Sequence, residues 1–309
     1  MSFLILTKDL NMKLDEYCDE LDVIKNLSDK TIQNYYVSNN LFINYLKKNE
    51  IKELSDMEET LKKFIIYLKR ERNISYASIN KYLEQILRFL SYLKLDISID
   101  FPKDNSRKKK IKYLKIEEIQ EVLKTIPDSF IRDKTIIQTL FRTGLRVSEL
   151  TNLKKHDLDL NSANEVIAID VEEGKGGKDR RVFIDQNTLQ LINKMIYKRT
   201  RKNKEDKNEY LFTSKTGEKI SIRAVENLVK KWAEKTDEKL AKKGINSNLK
   251  DRLTPHTLRH SFTIYLLNKA KRPLNEVQQL LGHSNISTTQ IYTQIDNEDM
   301  ERGYGKIIW

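Results

Sequence analysis

The sequence of 309 residues is poor in the residue types that cross-link a chain or bend it sharply. Its one cysteine, Cys18, leaves no possibility of an internal disulfide, which is usual for proteins of a reducing compartment. We interpret Cys18 as a small, partly buried residue without a redox role. Only 9 glycines and 4 prolines interrupt the chain, and 33% of the residues are charged, so the composition favours a helical protein.

The sequence also lacks an apolar run long enough to cross a membrane. The first residues include a short apolar patch, but no basic start and no small-residue cleavage site that would indicate a signal peptide. We therefore expect a cytoplasmic protein with no membrane partner.

Positive charge is in excess, with a formal net charge of +12 and an isoelectric point near 9.4. Such a balance favours a polyanionic partner, because basic side chains release the counterions condensed on nucleic acid. Charge alone does not identify the partner, since many basic proteins bind no nucleic acid.

The pattern is helical from about Lys13 to Leu95 and predicts a compact bundle of about four helices. Ser28 is a candidate N-cap for the second helix, and Ser75 or Ser78 for the fourth. The apolar residues recur at helical spacing, so we assign the aromatic ones to the core and not to base stacking. The predicted apolar stripes comprise Leu14, Tyr17, Leu21, Ile32, Tyr35, Tyr36, Phe42, Ile43, Leu46, Leu61, Phe64, Ile65, Leu68, Ile79, Tyr82, Leu83, Ile86, Leu87, Phe89 and Leu90.

A stretch of structure-breaking and basic residues separates this region from the rest of the chain. Pro102 begins it, and Arg107 to Lys110 form an unbroken basic run. The run is interpreted either as a solvated linker or as a linker that crosses phosphates. We predict a domain at residues 1–101, a basic linker at 102–112 and a second domain at 113–309.

The second domain shows helical patterns and one hairpin. Gly144 is the expected C′ residue of a helix over Ile131 to Phe141, and Arg146 begins a short further helix. Two β-type runs, Val166 to Asp170 and Arg181 to Ile184, flank a glycine-rich turn and predict a β-hairpin with Lys175 and Lys178 at its tip. Further helices are predicted over 116–123, 189–197 and 222–232, a third short strand over 210–213, and a loop or weak helix over 235–252.

Three of the four histidines, His256, His260 and His283, lie in the stretch that ends at Tyr292. With Arg259, they form a plausible set for phosphate chemistry: a guanidinium for charge, imidazoles for protons and a phenol as nucleophile. Thr254 and Pro255 predict the start of a helix, which by itself favours an anion near its first turn.

His256 and His260 also have the spacing of a metal-binding pair. We discount a metal here, because no third Cys, His or acidic ligand follows at a recognisable spacing. We interpret His260 as a packed or hydrogen-bonded histidine. Gly282 is expected to end the apolar helix that precedes His283.

Four motifs in order resemble the tyrosine recombinases, the phage integrase family. They are TGLRVSEL at Thr143 to Leu150, GKGGKDR at Gly174 to Arg180, HTLRH at His256 to His260, and LLGHSNISTTQIYT at Leu280 to Thr293. The resemblance covers essentially the whole chain, including the helical N-terminal region, which looks like the core-binding domain of Xer-type recombinases. It implies a mainly α fold: a two-domain clamp with an N-terminal helical bundle of the core-binding, SAM-like type and an α-rich catalytic domain with a small antiparallel β-sheet.

The resemblance implies a role for each candidate catalytic residue. Tyr292 would attack a backbone phosphate and form a 3′-phosphotyrosyl link, and Arg146 and Arg259 would clamp the non-bridging oxygens. Lys175, with Lys178 as the alternative, would protonate the leaving 5′-oxygen. Two histidines complete the set: His256 would assist proton transfer from the tyrosine, and His283 would hydrogen-bond the phosphate.

Residues outside this set have less defined roles. Glu149 follows Arg146 by one helical turn and is expected to orient Arg146 or a histidine. The sequence leaves open which of the other basic residues, Arg180 among them, contact phosphate.

The resemblance also implies the cofactors and partners. Because the phosphotyrosine retains the bond energy, and arginines and a lysine supply positive charge, neither ATP nor a divalent ion is expected. The partners would be double-stranded DNA recombination sites and further protomers, four on two sites, with the C-terminal tail exchanged between protomers; a paralogous recombinase is the alternative to a homo-oligomer.

Several alternatives remain at this stage. The helical region begins near the N-terminus, so we expect no additional arm-binding domain, which favours a Xer-like enzyme for dimer resolution but also fits a small mobile-element integrase. A catalytically inactive DNA-binding relative and a metal-dependent nuclease are the alternatives of other classes.

Overall fold

The computed structural model describes residues 9–51, 56–103, 113–160, 164–171, 179–202 and 208–282. The chain divides into two compact units, Met1–Lys109 and Lys110–Trp309. The predicted tip of the hairpin, with Lys175 and Lys178, lies outside the described residues, as does the chain after Gly282. No helix in the ranges given above is long and apolar enough to cross a membrane.

The described part of the N-terminal unit contains four helices, as predicted: α1 (Leu10–Val23), α2 (Asp29–Lys48), α3 (Met57–Arg70) and α4 (Tyr76–Tyr92). Ser75, one of the two predicted caps, accepts a hydrogen bond from the backbone N–H of Ser78 and begins α4. Most of the predicted apolar stripe is buried or partly buried in one core. Tyr36 is wrong in that set, because its side of α2 faces solvent and leaves the residue 38% exposed.

The C-terminal unit is mainly helical and encloses a two-stranded antiparallel sheet. The strands are β1 (Val166–Val171) and β2 (Arg180–Asp185), with Ala168 opposite Phe183. The helices are α5 (Ile116–Thr125), α6 (Ile131–Thr143), α7 (Val147–Asn152), α8 (Gln186–Lys202), α9 (Ile222–Ala241), α10 (Pro255–Ile264) and α11 (Leu274–Leu281), with short 3-10 turns at Asp128–Phe130, Lys155–Asp157 and Leu249–Asp251.

One local prediction in this unit is wrong, and one that the sequence left open is decided by packing. Residues 210–213 form no strand: Tyr210 and Thr213 make only isolated bridges, to Lys154 and Lys219. The stretch 235–252, predicted as a loop or weak helix, is helical up to Ala241, because Thr236 is buried against the core and continues the inward face of α9. Asp237 then orders the turn that follows, since its carboxylate accepts hydrogen bonds from the backbone N–H groups of Leu249 and Lys250.

Helix ends near the site follow the sequence signals closely. Gly144 ends α6 and Gly282 ends α11, each with φ of 64°, in the left-handed region that favours glycine. Thr254 caps α10 by accepting a hydrogen bond from the backbone N–H of Thr257, and Pro255 occupies the first turn. Helices α6 and α10 pack against each other, and the space at Gly144 is closed by Phe262 of α10 and Leu281 of α11, so the ends of α6 and α11 meet beside α10.

Candidate active site

Arg146 lies immediately before α7 and is bound twice by Glu149. Its backbone N–H donates to Glu149 Oε2 at 2.6 Å, and its Nη1 donates to Glu149 Oε1 at 2.7 Å. The Arg146 side chain is 42% exposed, whereas that of Glu149 is 8% exposed. These contacts agree with the prediction that Glu149 orients Arg146. They leave part of the Arg146 side chain facing solvent.

Arg180, the first residue of β2, binds the same carboxylate from the opposite side. Its Nη1 lies 3.0 Å from Glu149 Oε1 and its Nη2 lies 2.8 Å from Glu149 Oε2, a bidentate pair. The Arg180 side chain is only 6% exposed. The structure thus places Arg180 in a buried ion pair, and the sequence had left open whether this residue contacts phosphate.

Arg259, on α10, joins the same cluster and is buried as well. Its Nη1 donates to the carbonyl oxygen of Gly144 at 2.6 Å, and its Nη2 donates to that of Leu281 at 2.5 Å. Nη1 also lies 4.0 Å from Glu149 Oε2. Arg259 therefore connects the carboxyl end of α6 to the carboxyl end of α11.

Three consecutive carbonyl groups at the end of α11 each accept a hydrogen bond from a different arginine. Leu280 O is 2.9 Å from Arg180 Nε, Leu281 O is bound by Arg259, and Gly282 O is 3.1 Å from Arg146 Nη2. The last carbonyls of a helix have no partner within the helix and carry the negative end of its dipole. The arginines thus fix the residues that directly precede His283 in the chain.

The cluster has more positive than negative charge. Burial by itself raises the pKa of Glu149, but the hydrogen bond and charge of Arg180 and the hydrogen bonds from Arg146 outweigh it and lower the pKa to about 2. The carboxylate is therefore ionised near neutral pH. Three guanidiniums around one carboxylate leave a formal charge of +2 in a largely buried region, which suits an anion such as phosphate.

His256 lies one helical turn before Arg259 on α10. Atoms packed around the imidazole and the positive charge of Arg259 lower the pKa of His256 below its ordinary value of 6.5. The ring is therefore mainly neutral at pH 7 and can accept a proton. The ring of His260 packs edge-on against it, with centroids 4.0 Å apart, which fits the prediction of a packed histidine.

Lys175, His283 and Tyr292 lie outside the described residues, as does the alternative acid, Lys178. Of the predicted catalytic residues, the structure thus describes Arg146, His256 and Arg259. Among the described residues, no three His, Cys, Asp or Glu side chains group as metal ligands.

The sequence interpretation did not foresee the part played by Arg180. A usable signal was present, because side chains alternate across a strand and Arg180 shares the inward face of β2 with Val182 and Ile184. Arg181 and Phe183 point outward. A charged residue on an inward strand face needs a buried partner, and Glu149 is that partner.

Comparison with known proteins identifies the family. Residues 112–299 match the phage integrase family, and residues 14–98 match the N-terminal SAM-like domain of phage integrases. The chain therefore belongs to the phage integrase family, the tyrosine recombinases, and it is an enzyme of that class.

Individual relatives agree with this assignment. The chain is 30% identical to the tyrosine recombinase XerC of Histophilus somni (strain 2336), covering 96% of this chain and 97% of that protein. It is 32% identical to XerC of Haemophilus influenzae (strain PittEE), over 94% and 95%. Among solved structures, the Tn1549 transposon integrase in complex with transposon right end DNA matches with a TM-score of 0.70 at 20% identity, over 94% of this chain and 98% of that chain.

Proposed function

We propose that this protein breaks and rejoins DNA at specific sites through a covalent phosphotyrosine. The phenolic oxygen of Tyr292 attacks a backbone phosphorus and forms a bond to it, while the bond to the 5′-oxygen breaks and that oxygen leaves with a proton. In the second step, a 5′-hydroxyl of a partner strand attacks the phosphotyrosine and releases the tyrosine. Bond energy is conserved, so the proposal includes neither ATP nor a divalent ion.

The observation that carries the proposal is the excess positive charge held around Glu149. Attack on a phosphodiester increases negative charge on the non-bridging oxygens, and preorganised guanidiniums stabilise that charge without reorganising. Arg146 has the more accessible guanidinium of the cluster, since its side chain is 42% exposed. Arg259 lies beside it, fixed by two carbonyl groups.

The reaction moves two protons, one from the attacking tyrosine and one to the leaving 5′-oxygen, and we propose a residue for each. His256, kept largely neutral by its surroundings, assists removal of the proton from Tyr292. Lys175 protonates the leaving 5′-oxygen, and His283 donates a hydrogen bond to the phosphate. These last assignments rest on the order of the four motifs in the sequence.

The proposed substrate is double-stranded DNA carrying recombination sites. Relatives include XerC recombinases, and structural neighbours include a XerH recombinase bound to difH substrate and the Tn1549 integrase bound to transposon DNA. We propose residues 1–101 as a core-binding DNA domain, 102–112 as a basic linker and 113–309 as the catalytic domain. Four protomers act on two sites and exchange their C-terminal tails, with a paralogous recombinase as the alternative partner, in the cytoplasm at the nucleoid.

Two biological roles fit this chemistry. One is resolution of chromosome or plasmid dimers, which the similarity to XerC over nearly the whole chain favours. The other is integration of a small mobile element, for which the likeness to a transposon integrase is the supporting observation.

A nicked suicide DNA substrate tests the chemistry, because loss of a short fragment after cleavage traps the covalent adduct. We expect wild-type protein to form the adduct with chelator present and Tyr292→Phe to form none. Tyr197→Phe is the matched control, since Tyr197 is a surface residue of α8 that is 62% exposed.

Each other outcome contradicts a defined part of the proposal. An adduct that persists in Tyr292→Phe excludes this nucleophile. Strand cleavage that survives in Tyr292→Phe and stops with chelator indicates a metal-dependent nuclease. Specific DNA binding by the wild-type protein without adduct or cleavage indicates a catalytically inactive relative.

A further inference from the structure

Arg180 combines three contacts that no other described residue combines. It holds both oxygens of Glu149 and, through Nε, the carbonyl oxygen of Leu280. It thereby joins β2 to α7 and to the end of α11. Because Arg180 begins β2, it also stands a few residues after Lys175 in the same hairpin.

Arg180 and Arg146 differ in how far their side chains are buried. The Arg180 side chain is 6% exposed, whereas that of Arg146 is 42% exposed. Both guanidiniums bind Glu149, so the two arginines share one carboxylate and differ in what remains accessible. Of these two arginines, Arg146 is therefore the one that an approaching DNA phosphate meets. Burial alone does not separate Arg180 from Arg259, whose side chain is 7% exposed. The difference between those two lies in their partners, because both Nη atoms of Arg180 bind the Glu149 carboxylate, whereas those of Arg259 bind neutral carbonyl groups.

The Glu149 carboxylate is the link through which Arg180 reaches the reacting groups. Glu149 positions Arg146 through both its backbone N–H and its side chain. A carboxylate held by a bidentate guanidinium has one orientation, whereas one held on a single side can rotate. Leu280 is also fixed by Arg180, three residues before His283 in the chain.

We propose that Arg180 is a positioning residue of this recombinase: it binds no DNA and holds Glu149 and the end of α11 in place, so that Arg146 meets the scissile phosphate correctly. This inference rests on the proposed function. It extends that function by dividing the arginines of the cluster by role: Arg146 and Arg259 act on the phosphate, and Arg180 supports them.

The test compares Arg180→Gln and Arg180→Lys with Arg181→Gln. Arg181 is the neighbouring residue on β2, exposed, and paired only at the surface with Asp170. For each full-length variant, single-turnover cleavage of the suicide substrate is measured at saturating DNA. The Kd for DNA is measured over a range of salt concentrations.

We expect both Arg180 variants to cleave about 100-fold more slowly, because misplacing a reacting group by about 1 Å costs that much. Lysine keeps the charge but has a single nitrogen, which cannot hold two carboxylate oxygens and a carbonyl at once. The Kd and its salt dependence should match wild type. Arg181→Gln should cleave within about two-fold of wild type, as expected for a surface substitution.

A double-mutant cycle with Glu149→Gln tests whether Arg180 acts through Glu149. If it does, Arg180→Gln combined with Glu149→Gln is no slower than Glu149→Gln alone. A phosphate contact predicts instead a weaker Kd with a salt slope reduced by about 1. Any of three results would overturn the inference. They are this weaker Kd with its reduced salt slope, rate losses that multiply in the double variant, and cleavage by Arg180→Lys at the wild-type rate.

Folding is checked by circular dichroism before any rate is compared. If Arg180→Gln does not fold, the cycle is carried out with Arg180→Lys. Failure of both variants to fold also contradicts the inference, since Arg180 would then be required for folding and not for positioning. Adduct formation by the wild-type protein tests the proposed function separately.

Discussion

The two units of this protein bury polar groups in different ways. In the N-terminal unit, the buried polar side chains among the described residues are uncharged: Ser38, Asn39, Thr60 and Gln85. In the C-terminal unit, Glu149, Arg180 and Arg259 have side chains that are 8%, 6% and 7% exposed. Both units enclose an apolar core, and the C-terminal unit buries a charged cluster in addition.

Burying charge is costly unless each group is paired, so a charged cluster is weak support for stability alone. The three guanidiniums and the one carboxylate of this cluster have a summed formal charge of +2. A unit built only for folding would not need that excess. This difference is what we expect if the charged cluster of the C-terminal unit serves the phosphate of the proposed reaction.

Arg259→Lys should have the largest effect. Lysine keeps one positive charge but cannot donate to both Gly144 O and Leu281 O, so we expect cleavage of the suicide substrate to fall about 10²–10³-fold. Arg272→Lys is the matched control, because Arg272 is a surface residue paired at 3.7 Å with Glu276. If both variants cleave the suicide substrate at the same rate, Arg259 does not act at the reacting centre.

Glu149→Gln should change how the stability of the C-terminal unit depends on pH. The pKa of Glu149 is about 2 in the folded protein and near 4.5 ordinarily, so folding favours the ionised form. Its contribution is complete above about pH 5 and is lost as the pH falls through 4.5 toward 2, and it amounts to roughly 3 kcal/mol.

Tryptophan fluorescence during urea unfolding measures this effect selectively, because both tryptophans, Trp232 and Trp309, lie in the C-terminal unit. In Glu149→Gln, the free energy of unfolding should lack this part of its fall at low pH. Glu218→Gln, a change at an exposed residue, should retain it. If the free energy of unfolding of Glu149→Gln falls at low pH as in the wild-type protein, the Glu149 carboxylate is not held by the arginines.

Much of this arrangement was visible in the sequence, and the exceptions have physical causes. Gly144, Gly282, Thr254 and Pro255 were assigned correctly as helix ends, because capping depends on local backbone geometry. The pairing of Arg180 with Glu149 was not foreseen, because the two residues are 31 positions apart and only the packed fold brings them together. For Tyr36 and for residues 235–241, tertiary packing decided the outcome.

Gly144→Ala should destabilise the C-terminal unit more than the same change at Gly244. A Cβ at Gly144 would lie 2.5 Å from Phe262 Cδ1 and 3.0 Å from Leu281 Cδ2, whereas one at Gly244 would meet nothing within 4 Å. Both glycines have positive φ, at 64° and 75°, so backbone strain largely cancels in the comparison. The difference should be roughly 2 kcal/mol of overpacking, measured by urea unfolding; equal losses would contradict close packing of α6 on α10.

Gln85→Leu should have the smallest effect and should be confined to the N-terminal unit. Its side-chain oxygen accepts a hydrogen bond from Ser38 Oγ at 2.6 Å, but Ser38 also reaches the carbonyl groups of Asn34 and Tyr35. We expect a loss of about 1 kcal/mol by circular dichroism, with the tryptophan transition unmoved. A shift of the tryptophan transition would show that the two units unfold together.

The central claim is that the charged cluster serves a tyrosine nucleophile, and the direct measurement is the site of attachment to DNA. The suicide-substrate adduct is digested with protease and nuclease, and the modified peptide is identified by mass spectrometry. Of the 14 tyrosines in the chain, Tyr292 should carry the nucleotide remnant. A remnant on any other residue, or none on a protein that cleaves the DNA, would contradict the account.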